Sequence, residues 1–329
     1  GNQLTTLDVS NNTALTSLSC GGNQLTSLDV SANTPLTYLN CESNQLTSLD
    51  VSSNTALDNL STGGNQLTTL DVSNNTALTS LECWLNELTS LDVSANTPLT
   101  YLHCAGNQLT SLDVSNNTAL EELNTQDNSL TSLDVSANTA LTELSCAGNN
   151  LTTQDVSNNT ALTFLYNSEN QLTSLDVSNN PLLTYLEIRG NQLTYLNMRN
   201  GVTDALTTFD ATGNSLTCIE TLDPDYATAN WTYANNNIDA GVTFADICYA
   251  SNPSYTYVPD DNFEQALIDL GYDDTLDDYV LTANISVVTS LNVSQKEISN
   301  LTGIEDFTSL TDLQCQGNQL TSLDVSNNT

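Results

Sequence analysis

The sequence predicts a mainly β solenoid, in which short coils stack into two parallel sheets and helix is confined to one capping segment near residues 260–270. The first observation is an asparagine that recurs every 21 residues. The second is a pair of short apolar runs with strand-type spacing in each unit. The third is that both patterns stop after Asn214 and resume near the end of the chain. The recurring asparagines are Asn2, Asn23, Asn44, Asn65, Asn86, Asn107, Asn128, Asn149, Asn170 and Asn191.

Each 21-residue unit contains two apolar runs, LxxLxV and LxxLxC. The last pair of apolar residues in each run is spaced with period two, which predicts a short strand. A single coil has too little surface to bury its own apolar residues, so the coils must stack on one another around a shared core. In the second unit these residues are Leu25, Leu28 and Val30, then Leu36, Leu39 and Cys41.

Two asparagines per unit follow the predicted strands, as Asn23 and Asn33 do in the second unit. An asparagine amide can bond to the backbone of a turn. Stacked columns of such residues would provide partners for turn groups that a buried corner otherwise leaves unpaired. We therefore expect two asparagine ladders along the solenoid.

One stretch fits a known signature. Leu36 to Leu46 reads LTYLNCESNQL, which matches LxxLxLxxNxL with cysteine in the third apolar position. It resembles the leucine-rich repeat family, and the doubled LxxLDV half resembles the short bacterial class with a nested 21-residue repeat, sometimes called IRREKO. The resemblance covers residues 1–217 and 281–329. It implies a leucine-rich-repeat solenoid in a secreted or surface-exposed bacterial protein that binds a partner, and it names no ligand.

Residues 218–249 interrupt the array and resemble the disulfide-closed C-terminal cap of secreted repeat proteins. Cys218 and Cys248 lie outside the repeated cysteine position and flank this segment. We therefore expect a disulfide between them, which is consistent with an oxidising compartment. Residues 250–258 are predicted to be a linker.

Residues 259–280 are predicted to form a helical cap of N-terminal type. Acidic residues open the segment, Phe263, Leu267 and Leu270 share one helical face, and Gly271 stops the helix. A second array occupies 281–329. Because a C-terminal cap precedes an N-terminal one and both chain ends are open coils, we expect head-to-tail self-assembly, within a longer polypeptide or between docked chains.

The composition is strongly acidic. The chain has 39 acidic residues and three basic ones, a formal net charge of −36. Nucleic-acid binding needs clustered Lys and Arg, so a nucleic-acid partner is not expected. No stretch approaches the roughly 18 apolar residues of a membrane span, so membrane insertion is not expected either. The basic residues are Arg189, Arg199 and Lys296.

Six cysteines occupy the third apolar position of a strand. Stacked thiols could bind a metal or carry out redox chemistry. Burial as small hydrophobic side chains fits the position better, and in-register side chains that point in parallel do not favour disulfides. These cysteines are Cys20, Cys41, Cys83, Cys104, Cys146 and Cys315.

A column of aspartates, one per coil, is predicted to face solvent between Ser and Thr residues. It could be a calcium-binding edge, or a solvated acidic face in which the hydroxyl groups donate hydrogen bonds to the carboxylates. We favour the second interpretation and expect no cofactor and no metal. The run from Asp273 to Asp278 lacks the glycine and closing glutamate of a calcium loop. The column contains Asp8, Asp29, Asp50, Asp71, Asp92, Asp113, Asp134, Asp155 and Asp176.

The outward positions of the LxxLxC run vary widely from coil to coil, whereas the LDVS half scarcely changes. Exposed aromatic side chains gathered on one face are typical of binding surfaces. We interpret this face as ligand-binding; drift on a surface without packing constraints is the alternative. The candidate ligand-binding residues are Tyr38, Trp84, Tyr101, His103, Phe164, Tyr166 and Tyr185.

The sequence contains no nucleophile elbow, phosphate loop or HExxH motif. His103 is the only histidine, so we expect no enzyme activity. The sequence favours an extracellular or cell-surface recognition and adhesion module that binds a protein or polysaccharide through the variable face. The alternative is a structural tandem-repeat protein that forms a head-to-tail extracellular fibre or spacer.

Overall fold

The computed structural model describes residues 1–249 and 252–328. The chain divides into two compact units, Gly1–Asp246 and Ile247–Thr329. The first unit contains the long repeat array. The second begins with capping elements and continues into further coils. Among the described residues, no helix is long and apolar enough to cross a membrane.

The LxxLxC runs of the first unit form one ten-stranded parallel sheet in the order β1-β2-β3-β4-β5-β6-β7-β8-β10-β12. Every strand pairs in register with the equivalent residues of the next coil, as Leu39 does with Leu60. The middle residue of a strand points into the core and its two neighbours point outward. The strands are β1 (Ser17–Ser19), β2 (Tyr38–Asn40), β3 (Asn59–Ser61), β4 (Ser80–Glu82), β5 (Tyr101–His103), β6 (Glu122–Asn124), β7 (Glu143–Ser145), β8 (Phe164–Tyr166), β10 (Tyr185–Glu187) and β12 (Thr208–Asp210).

The other side of the coils carries a shorter sheet. Four strands pair there in the order β14-β13-β11-β9, and all pairs are parallel. In the coils before them, the inter-coil backbone bond on this side lies at the start of the LxxLxV run, ahead of its LDV residues, as from Gln45 N to Leu25 O at 2.8 Å. The predicted parallel-sheet solenoid is confirmed, with a second sheet limited to the end of the array. Its strands are β9 (Ser174–Asp176), β11 (Tyr195–Met198), β13 (Cys218–Thr221) and β14 (Thr243–Ala245).

The core is a narrow stack of apolar residues between the two sides. Leucines such as Leu39 and Leu60 are completely buried. The repeated cysteines are free thiols, as predicted, and all are buried except Cys315, which is half-buried. Burial raises the pKa of the buried thiols, Cys104 to about 12. Cys218 and Cys248 are disulfide-bonded, which confirms that prediction.

Both expected asparagine ladders are present. At one corner, Asn44 donates its amide to Cys41 O at 3.0 Å and accepts the amide of Leu25 through Oδ1 at 3.0 Å. At the other corner, Asn54 is fully buried and donates to Val30 O at 3.0 Å and Asn33 O at 2.8 Å. Each side chain therefore ties its own coil to the preceding one.

The far end of the first unit is closed by α1 (Pro224–Asn230), a 3-10 turn (Tyr233–Asn235) and β14. Asp223 caps α1 by accepting the backbone amide of Tyr226 at 2.9 Å. Trp231 is buried against Phe209, with ring centroids 4.5 Å apart. These aromatic contacts cover the last coil of the stack.

The second unit begins with an antiparallel pair, β15 (Tyr255–Tyr257) and β16 (Tyr279–Leu281). β15 lies within the segment predicted as a linker; Ala250 and Ser251 of that segment, and Thr329 of the predicted second array, lie outside the described residues. The predicted capping helix is α2 (Asp261–Leu270). A four-residue helix α3 (Thr282–Ile285) follows, and β17 (Ser290–Asn292) and β18 (Asp312–Gln314) pair in parallel as the new coils begin.

Helix α2 is capped at its start by Asp260, which accepts two backbone amides, and just past its end by Gly271, which has a φ of 78°. Phe263 and Leu267 are completely buried, as expected. Leu270, which follows Leu267 on the same face of the helix, is 44% exposed. The helix ends at this residue, so its last turn has too little core left to cover it.

Candidate binding face on the long parallel sheet

The candidate residues lie on the outward side of the ten-stranded sheet. Each three-residue strand presents its first and last residues outward, so two columns run along the sheet. In the first column Ser80, Tyr101 and Glu122 are register partners. In the second, His103 follows Glu82. A third column begins just beyond the strand ends and includes Trp84. The variable positions therefore form one continuous surface, as the sequence predicts.

Trp84, Tyr101 and His103 form a first aromatic group, with Trp84 just beyond β4 and the other two on β5. The Trp84 and His103 ring centroids lie 6.2 Å apart at an interplanar angle of 30°. Tyr101 meets His103 edge-on at 6.5 Å. All three side chains are half-buried, so their rings offer a pre-arranged platform at the surface.

Gly63 provides the space that Trp84 occupies. A Cβ atom at Gly63 would lie 2.3 Å from Cε2 of Trp84, so the indole ring lies directly across the backbone of the preceding coil. Any side chain there would displace the ring. Gly63 has no distinguishing signal in the sequence, because its role depends on a residue 21 positions later.

Leu85, next to Trp84, is a second residue of this surface that was not predicted from the sequence. Its side chain is 61% exposed and its φ is 48°, in the left-handed region that leucine avoids at a cost of roughly 1–2 kcal/mol. Neighbouring coils place Gly64 and Gly106 at the same position, with φ values of 65°. The positive φ belongs to the repeat, because three other coils have a non-glycine residue there with φ values of 50–53°, Ser43, Asp127 and Glu169. What distinguishes Leu85 is a large apolar side chain exposed beside Trp84, which is typical of a binding surface.

A second aromatic group lies on β8 and β10. Phe164 and Tyr185 are register partners whose rings stack at 4.1 Å and 19°. Tyr166 lies in the adjacent column and pairs with Glu187. The Tyr185 hydroxyl donates a hydrogen bond to Glu187, which also faces Arg189 at 3.6 Å. Burial, then this hydrogen bond and the charge of Glu187, raise the pKa of Tyr185 to about 12.

Tyr38 is not part of either group. It lies on β2, where its register partners are Ser17 and Asn59, three strands away from Tyr101. The structure thus brings six of the seven candidates together in two groups and leaves the seventh apart. Their role in binding stays a prediction.

The first group lies in a negative environment. Burial raises the pKa of Tyr101, and the charges of Glu82, Glu122, Glu143 and Glu42 raise it further. Burial also raises the pKa of Glu82, with the charge of Glu42 adding to the effect. These residues therefore form an acidic border around the rings.

Burial lowers the pKa of His103, and the charge of Glu42 opposes this effect only in part. The imidazole is therefore neutral at neutral pH. A neutral imidazole among aromatic rings can accept or donate a hydrogen bond to a ligand. Within the described part of the chain, no side chain is placed beside His103 as a nucleophile beside its base.

The aspartate column lies on the opposite side of the coils and faces solvent. Each carboxylate accepts the backbone amide of the serine two residues later, as Asp92 does from Ser94 at 2.9 Å. Hydrogen bonds from Ser94 lower the pKa of Asp92. Among the described residues, no group of three or more His, Cys, Asp or Glu side chains is arranged to hold a metal ion. Calcium binding along this column stays an untested alternative.

No protein-family model matches the chain. Over 73 residues, 22% of this chain, it is 41% identical to Internalin J of Listeria monocytogenes serotype 4b (strain F2365), and the match spans 8% of that protein. The solved functional domain of InlJ from Listeria monocytogenes, which includes a cysteine ladder, is 36% identical with a TM-score of 0.67. That match covers 100% of this chain and 59% of the InlJ domain.

Two more distant structures agree in fold. The internalin InlF of Listeria monocytogenes is 22% identical with a TM-score of 0.58, over 100% of this chain and 82% of InlF. A leucine-rich repeat protein of Leptospira interrogans is 20% identical with a TM-score of 0.58, over 98% of this chain and 86% of that protein. The chain therefore has the leucine-rich repeat fold, with bacterial, internalin-like neighbours. It spans only part of the InlJ domain that it resembles.

Proposed function

We propose that this protein is a non-enzymatic extracellular recognition module that binds a protein or polysaccharide through the outward face of the ten-stranded sheet. The observation that carries the proposal is the contrast within the chain itself. One side of the coils repeats the same residues, whereas the other presents two preassembled aromatic groups. A uniform scaffold with one variable, aromatic face suits recognition better than a spacer, in which neither face needs to vary.

The exposed side chain of Leu85 supports the same face. It is 61% exposed next to Trp84 and lies outside the buried core. Gly63 preserves the position of the Trp84 ring across the preceding coil. Such features are understandable where contact with a partner offsets their cost to folding.

The likeness to internalins supports a surface-exposed bacterial protein. The disulfide-bonded state of Cys218 and Cys248 is consistent with an oxidising, extracellular compartment. The buried cysteines of the array can remain free thiols in such a compartment, because the stacked coils shield them from solvent.

A pull-down and a glycan array with the triple variant Tyr101→Ala, Phe164→Ala and Tyr185→Ala test the proposal. Buried aromatic anchors often contribute about 2 kcal/mol each to binding, so the triple variant should weaken binding at least about 100-fold. The matched control is Thr26→Ala, Thr110→Ala and Thr173→Ala, which removes exposed side chains from the other side of the coils.

Binding that is equal for both variants would place the site elsewhere on the molecule. A protein that captures neither proteins nor glycans would instead favour the structural tandem-repeat function. Head-to-tail assembly stays a prediction that sedimentation of the purified chain can measure.

A further inference from the structure

A cavity of about 360 Å³ lies in the second unit, between the C-terminal end of α2 and the β15–β16 pair. Its walls combine aromatic rings with carboxylates. Neither the repeat pattern nor the binding face accounts for it. The lining residues that matter here are Tyr249, Tyr255, Tyr272, Tyr279, Asp273 and Asp277.

The tyrosines form a connected wall. Tyr249 stacks on Tyr279, with centroids 5.1 Å apart at 19°, and meets Tyr255 edge-on at 5.1 Å. Tyr257 extends the wall behind Tyr279 at 5.2 Å. Aromatic faces attract cations through their quadrupole, and organic cations are recognised in this way.

Among the described residues, no basic side chain forms an ion pair with the carboxylates of the cavity. Oδ2 of Asp273 is buried and has no hydrogen-bond partner. Burial raises the pKa of this carboxyl, and the charges of Asp277 and Asp274 add to the effect. Lys296 is the only basic residue of the second unit, and its Nζ already contacts Asp269 at 2.9 Å.

A second carboxylate, next to the cavity, adds to the negative potential of the cavity. Glu264 on α2 is completely buried, and its Oε1 accepts the backbone amides of Asp277 at 2.8 Å and Tyr279 at 3.1 Å. Its Oε2 is buried without a partner. Burial raises the pKa of the Glu264 carboxyl, the two backbone hydrogen bonds oppose this effect, and the charges of Asp273 and Asp277 add to it. The carbonyl end of α2, which finishes at Gly271 in the cavity wall, adds partial negative charge.

We propose that this cavity binds a small organic ammonium ion, with the positive group between the tyrosine rings and the Asp273 carboxylate. A metal ion fits less well, because the described residues bring no three metal-ligating side chains together. The ring faces suit a weakly hydrated cation that carries alkyl groups, and such an ion also neutralises the half-buried carboxylate of Asp273.

Calorimetric titration of the full chain with choline tests the proposal, with 3,3-dimethyl-1-butanol as the neutral analogue of the same shape. We expect saturable binding of choline and none of the alcohol. Asp273→Asn keeps the shape of the side chain and should weaken choline binding about tenfold or more. Tyr279→Leu should weaken it as well. The matched control Asp312→Asn, an exposed aspartate on β18, should bind choline like the unaltered protein.

A second readout needs no variant, so a folding defect in the variants cannot affect it. In the unaltered protein, bound choline should lower the pKa of Asp273, measured by NMR titration of its carboxyl carbon. The proposal is overturned if choline shows no saturable binding, or if the neutral alcohol binds equally well. It is also overturned if calcium chloride binds and choline does not, or if the Asp273→Asn variant binds choline with full affinity.

Discussion

Replacing Asn117 with alanine should destabilise the solenoid by about 2 kcal/mol. Asn117 is completely buried, and its amide donates to Val93 O at 3.0 Å and to Asn96 O at 2.8 Å. Both carbonyls also accept a backbone amide within their own turn, so the substitution weakens their pairing without leaving them orphaned. Two lost hydrogen bonds at about 1 kcal/mol each give the estimate.

The neighbouring residue provides a matched control. Asn116 is exposed, and Ala95 and Ala137 occupy its position in the adjacent coils. Asn116→Ala should therefore change the free energy of unfolding by less than about 0.5 kcal/mol. The two variants differ from the parent by the same atoms, one residue apart, and only the buried one contributes to the ladder.

Urea unfolding followed by circular dichroism measures both variants against the parent chain. We expect a lower midpoint for Asn117→Ala, with an unchanged slope. Hydrogen exchange should place the loss of protection in the coils around residues 93–117. If both variants unfold at the same urea concentration, the ladder does not stabilise the stack and the reasoning is wrong.

Three further predictions concern thiols, acid and salt. In native protein Cys315 should react first with a thiol reagent, because it alone of the free cysteines is half-buried, and denatured protein should show six reactive thiols; a count of eight would contradict the disulfide. Hydrogen bonds from Ser94 lower the pKa of Asp92 below its usual 3.8. This carboxylate therefore stabilises the fold above about pH 3.8, and its contribution is lost as the pH falls through the folded-state pKa. NMR titration of the Ser94→Ala variant should show a higher pKa of Asp92 than in the parent chain. Added salt or calcium should raise the melting temperature by screening the aspartate column, and an unchanged melting temperature would show that the serine hydrogen bonds already offset the repulsion.

Much of the first unit follows from the repeat alone. A 21-residue period with two strand-type runs allows only stacked coils, because no coil can bury its leucines by itself. The free thiols and both asparagine ladders follow from the same reasoning, since each residue returns to the same place in every coil. Helix α2 was also predictable from its acidic start, its buried Phe263 and Leu267, and its glycine stop.

The tertiary structure decided the contacts made between residues that are distant in sequence. Trp84 lies over Gly63 of the preceding coil, and Leu85 has a positive φ that only the backbone reveals. Glu264 reaches the loop at Asp277 only because α2 packs beside it. A repeat pattern specifies which positions face outward or inward. The rotamers and loop paths that bring particular side chains together depend on neighbouring coils and caps, so the aromatic groups and the ammonium cavity emerge only once the chain is folded.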